Sequence, residues 1–207
     1  MQAIVEARRE YMNMLEECMV LEMSNTFINM YDDTQELLRG DRGRVTKFKE
    51  ISGEISSWSD NVVDVHVDRI KQECPWFDKL IEATIVSFVQ IMNSVKINRM
   101  TNKLSLTIPS ASEFVRKCYK AAQSYIVKSA DFMAHEDERE TVLGKRIAKA
   151  IDTVVRGYVP LQNIISMNIS TPGDEYSFGG EEEPEEPEEP ETKTIEEDDV
   201  LMPDATE

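Results

Sequence analysis

Through most of residues 1–170, apolar side chains recur at alternating steps of three and four, the period of a helix that buries one face. Ile4, Ala7, Tyr11, Met14, Cys18, Leu21, Asn25 and Ile28 set it first. Two glycines interrupt it at Arg39-Gly40-Asp41-Arg42-Gly43, where a loop is expected. The Arg-Gly-Asp tripeptide inside that loop is an adhesion signal in other settings, and on a connector between helices it is incidental. A second helix follows Val45, Phe48, Ile51, Ile55, Trp58, Val62 and Val65 and should run to about Glu73. Pro75 then breaks the chain, because proline lacks an amide proton and suits the first turn of a new helix. The third helix carries Trp76, Phe77, Leu80, Ile81, Ile85, Phe88, Val89 and Met92 on a wide arc and is expected to be the central buried helix, with its aromatics in the core.

Leu104, Leu106 and Ile108 alternate, as in a short strand or an extended connector, but one strand without a partner makes no sheet. Ser110, three residues before Glu113, has the spacing of a capping box, in which hydroxyl and carboxylate satisfy free amides at a helix start. A fourth helix from Ala111 to near Ser129 should therefore bury Phe114, Val115, Cys118, Tyr119, Ala122 and Ile126. In the fifth, Glu136-Asp137-Glu138 precede Val142, Leu143, Ile147, Ile151, Val154 and Val155, while Lys145, Arg146 and Lys149 come later, so the charges complement the helix dipole. Gly157 and Pro160 close it, and Leu161–Ile169 suit a short sixth helix. The expected fold is all-α: an irregular bundle of five or six helices over residues 1–170, with 1–40 as an N-terminal helical arm.

From Thr171 the chain changes character. Glu182-Glu183-Pro184-Glu185-Glu186-Pro187-Glu188-Glu189-Pro190 repeats Glu-Glu-Pro, so proline blocks helix formation and like charges repel. A disordered or extended acidic tail over 171–207 is expected, able to span about 110 Å if drawn out as polyproline II. It holds 16 acidic residues and one basic residue, Lys193, so most of the formal charge of −17 sits there and the body carries only −2. Ile195, Val200, Leu201 and Met202 form an apolar island near its end, the composition of a short docking peptide.

These features exclude several functions. A body of net −2 has no evident surplus of Lys and Arg to neutralise phosphates, so no nucleic-acid binding is expected. The charged start, Glu6 to Glu10, is unlike an export signal. Leu80–Met92 is the longest apolar stretch and at about thirteen residues is too short to cross a bilayer. Cys18, Cys74 and Cys118 are odd in number and widely spaced, which argues against a disulfide framework and for a reducing cytoplasmic setting. His66 and His135 stand in no metal-ligand spacing with them, so no metal is expected and a structural role or none is favoured for both histidines. No phosphate-cradling glycine loop and no nucleophile elbow occurs, and the paired carboxylates fall in the tail or at helix starts. No cofactor and no enzymatic activity are expected. Six of the eleven methionines lie between Met1 and Met30, and this adaptable side chain serves both cores and partner surfaces. Met12, Met19 and Met23, with Ile195, Val200, Leu201 and Met202 of the tail, are the candidate partner-binding residues.

Two stretches carry a resemblance. Cys74, Trp76, Asp78, Leu80 and Ile81, followed about thirty residues later by Ile108, Pro109, Phe114, Lys117 and Tyr119, resemble two signature blocks of an uncharacterised protein family of nucleocytoplasmic large DNA viruses. Phe77 and Lys79 depart from the first block, and the likeness covers roughly residues 60–170. The resemblance implies a minor capsid protein on the inner surface of a large icosahedral virion, assembled in the host cytoplasm. Its partners would be the major capsid protein, other minor capsid proteins and copies of itself, bridged through helical faces and the acidic tail. The alternative is an acidic-tailed adaptor or chaperone for basic proteins, since the tail attracts cations.

Overall fold

The computed structural model describes residues 2–37, 41–94 and 106–160. The chain divides into two units, Met1–Thr171 and Pro172–Glu207, and every described residue lies in the first. Its helices are α1 (Gln2–Leu37), α2 (Asp41–Gly53), α3 (Asp60–Glu73), α4 (Phe77–Ser94), α5 (Ala111–Val127) and α6 (Glu136–Gly157). Short 3-10 turns cover Glu54–Ser57 and Ala130–Ala134. The fold is all-α, as expected, with no strand among the described residues; Leu106–Ser110 is irregular. Leu104 and the anticipated sixth helix at Leu161–Ile169 lie outside the described residues.

The first forty residues are no detached arm. At 36 residues α1 is about 54 Å long, and it packs against α2, α3, α4 and α6, which gives it the central place expected of the third helix. Its buried row is Leu15, Met19, Met23, Phe27 and Tyr31, all fully shielded and spaced by four. Steps of four advance about 40° around the helix each time, which suits a long helix crossed by several others in turn. The three-four row of the sequence runs along a different face. Leu21 is 67% exposed, Ile4 is exposed, and Tyr11, Met14, Cys18 and Ile28 pack only at the margin of the core.

The expected second helix is two. α2 begins at Asp41, so the anticipated loop contributes its last residues to a helix, and it ends at Gly53. After the 3-10 turn, Trp58 and Ser59 are extended and α3 restarts at Asp60. Arg116 of α5 holds this break by donating to the Trp58 carbonyl at 2.6 Å and pairing with Asp60. The restart rephases the face: Val63, His66, Val67 and Ile70 are buried, while Val62 and Val65 point outward. Trp76 is also exposed, so it does not pack the core as expected, although Phe77, Leu80, Ile81, Ile85, Phe88 and Val89 do.

The last two helices follow the sequence closely. Ser110 caps α5, its hydroxyl accepting from the Glu113 amide at 3.2 Å, and all six side chains predicted for the buried face are buried. Arg146 of α6 donates to the carbonyls of Tyr125, Ile126 and Ser129 and to the Ser129 hydroxyl, satisfying groups that a helix end leaves free. That side chain ties the end of α5 to α6. The Ala130–Ala134 turn, which periodicity did not announce, buries Ala130, Phe132 and Met133.

Candidate functional site

The methionines do not form a partner surface. Met19 and Met23 are fully buried in the central row, and Met12 is half-buried against the core, so packing with α1's neighbours uses them up. Ile195, Val200, Leu201 and Met202 lie outside the described residues. Of the three-four row, α1 exposes Leu21 and Asn25.

Leu21, Asn25 and Ile28 of that row line a groove of about 660 Å³ between α1 and α6. The helices run antiparallel: Val20 lies against Gly144, and Asp32 pairs with Arg139 at 3.3 Å further along. A Cβ on Gly144 would stand 3.6 Å from Val20, so glycine there keeps the groove open without being forced by a clash. Val20, Leu21, Ile28 and Ala148 supply apolar lining, and Glu16, Glu17, Glu140 and Lys145 supply charge. None of these four charged groups has an ion pair or hydrogen bond among the described residues. Burial raises the Glu16 carboxyl above its usual range, and the like charge of Asp152 adds to the rise. Ser24 also lines the groove; it is 9% exposed, and its hydroxyl has no partner among the described residues.

The opposite flank of α1 holds the other polar assembly. His66 of α3 is stacked on Trp58, with ring centroids 5.0 Å apart, and its Nδ1 lies 2.9 Å from the Glu22 carboxylate and 3.2 Å from the Tyr119 hydroxyl. The Thr26 hydroxyl donates to the Glu22 carbonyl at 2.9 Å, which leaves its oxygen to accept from Tyr119 at 3.1 Å. Nδ1–H then donates to Glu22. Arg69 adds a second cationic contact to Glu22 at 3.2 Å. Burial raises the Tyr119 phenol well above its usual range, so it stays protonated near neutral pH. With His66 8% exposed and its partners satisfied, this assembly joins α1, α3 and α5 and offers no open face to a substrate. Composition favoured a structural role for His66, and the geometry supplies one.

Cys18 and Cys74, far apart in sequence, share a hydrogen bond between their thiols, a proximity that spacing did not reveal. Burial, then that hydrogen bond, pushes the Cys18 thiol up to about 12. Cys118 is buried and raised by the same desolvation. Among the described residues no group of His, Cys, Asp and Glu is placed to hold a metal ion, and no helix is long and apolar enough to cross a membrane. Residues 1–133 match a family of unknown function, DUF5764; the match includes the first sixty residues, which the viral resemblance left uncovered, and stops before α6. No curated protein and no solved structure matches the chain.

Proposed function

The chain belongs to this family of unknown function, and from that premise we propose that it is a minor structural protein of a large DNA virus capsid, a helical piece that binds and bridges neighbouring coat proteins. The observation that carries the binding part is the open groove between α1 and α6, an apolar lining set among charges that the fold itself leaves unpaired. A side chain that contributes nothing to its own fold and is partly desolvated at a cost is more simply explained by a partner than by stability. The capsid setting is supported by the two sequence blocks around Cys74 and Ile108. Val62 and Val65 of α3, and Trp76 just before α4, are also exposed apolar side chains, which suits a component that touches more than one neighbour.

Quantitative mass spectrometry of purified virions is the test. A fixed ratio of this chain to the major capsid protein, preserved through salt washes, is the expected result. Trace abundance that falls with each wash would overturn the capsid role. In that case the strongly acidic composition favours the second function, an adaptor for basic proteins.

A further inference from the structure

We propose that the α1–α6 groove is the docking site for a basic amphipathic helix of a partner protein. This deepens the binding role proposed above, and rests on it, by naming the chemistry of the partner. From Asn13 to Ile28 the α1 wall of the groove spans about four turns, roughly 22 Å, the length of a partner helix of about fifteen residues. Leu21 projects at its middle, 67% exposed, where an apolar helix face would cover it together with Val20 and Ile28. Helix-in-groove binding uses anchors at three and four residue steps, and an apolar strip of this length accepts them.

Charge selects the occupant. Three carboxylates, Glu16, Glu17 and Glu140, stand against one cation, Lys145, and none is neutralised within the fold. Lysines or arginines flanking the partner's apolar stripe would pair with them as the groove is desolvated. The Ser24 hydroxyl lines the groove without a partner among the described residues, and is placed to bond a polar side chain of the incoming helix. Glu16 has the most to gain, because it already bears the cost of burial and of Asp152 nearby. The chain's own acidic segment, residues 171–207, is the wrong sign for this rim. A second copy would bring a second acidic rim against the first.

The test is fluorescence anisotropy on the full chain with a labelled probe helix of about 18 residues, leucine on one face and lysine flanking it. Its scrambled isomer has the same charge and no apolar face, and serves as the control for capture by the acidic tail. Amide hydrogen exchange locates the site. The account expects the amphipathic probe, and not the scrambled one, to protect Asn13–Ile28 and Glu140–Ala148. Leu21→Lys should weaken it at least about tenfold, since a cation would then face the lysines at the centre of the contact. The joint change Glu16→Gln, Glu17→Gln and Glu140→Gln should weaken it and flatten its salt dependence. All four positions are at least partly exposed, so these variants fold, which far-ultraviolet circular dichroism verifies. Equal binding of both peptides, with no effect of Leu21→Lys, would overturn the proposal. So would a dimer of the unliganded chain that Leu21→Lys dissolves, which would give the groove to a second copy, or protection of the groove in the free chain that deletion of residues 161–170 removes. Because the assay uses no virion, its failure leaves the capsid role standing, and trace abundance in virions leaves the groove's preference intact.

Discussion

Glu16 and Glu22 lie less than two turns apart on α1 and have opposite fates. Glu22 is held by His66 and Arg69 in a network that also joins Tyr119 and Thr26. Glu16 has no partner among the described residues, and burial with Asp152 nearby makes its charge unwelcome. One flank of the helix is finished by folding, and the other is left incomplete. The contrast teaches that a partly buried carboxylate says little by itself, whereas the accounting of its partners separates a group that stabilises a fold from one that the fold leaves unpaired.

The largest expected effect breaks the finished flank. His66→Ala removes the stack on Trp58 and the main partner of Glu22, and should cost about 3 kcal/mol, read as a lower urea midpoint. Tyr119→Phe keeps the ring and deletes the hydroxyl shared with Thr26 and His66; a loss of about 1 kcal/mol is expected in the same titration. If instead these two changes were nearly neutral and Leu21→Ala were costly, the roles assigned to the two flanks would be reversed.

Smaller effects sharpen the unfinished flank. Leu21→Ala should change stability by less than about 0.5 kcal/mol, because the side chain is two-thirds exposed. Glu16→Gln should raise stability slightly, on the order of a few tenths of a kcal/mol after solvent screening. The sign follows from the direction of the shift. A carboxyl whose folded pKa lies above its unfolded value penalises folding at neutral pH, and the penalty fades as pH falls through the carboxylate range. The gain from Glu16→Gln should therefore be present near neutral pH and vanish in acid. Thermal denaturation of both chains across that range checks it, and a gain that grew in acid would contradict the assignment. Last, Cys18 should react with iodoacetamide far more slowly than a free peptide thiol at mildly alkaline pH, since its thiolate is disfavoured until about 12. Mass spectrometry of the alkylated chain measures this.

Much of the finished architecture was legible in the sequence. The capping box at Ser110 and the buried face of α5 came from local spacing alone, and so did the charge polarity of α6. The fold departs from the local signal where a distant side chain intervenes. Arg116, more than fifty residues away, stabilises the break at Trp58 that splits the second helix, and with the break Val62 and Val65 leave the core. On α1 two apolar rows coexist, one in steps of four and one in steps of three and four, and periodicity gives no means of ranking them. The neighbours of the helix decide, and they bury the first.

The groove was hidden for the same reason. It joins α1 to a helix more than a hundred residues later, and its key side chain, Leu21, reads in the sequence as ordinary core. The available signal was the surplus itself, since a helix with two apolar rows has more apolar surface than one set of neighbours can cover. Methionine content pointed to Met19 and Met23, which belong to the covered row.

Amine cross-linking of intact virions, followed by mass spectrometry, tests the central claim most directly, because Lys145 stands on the rim of the groove and reports on whatever lies in it. The account predicts links from Lys145 to lysines of a helical segment in another capsid protein, at higher yield than from Lys79 on the exposed side of α4. Links to partners confined to Lys193, with Lys145 free to react with a small amine reagent, would contradict it.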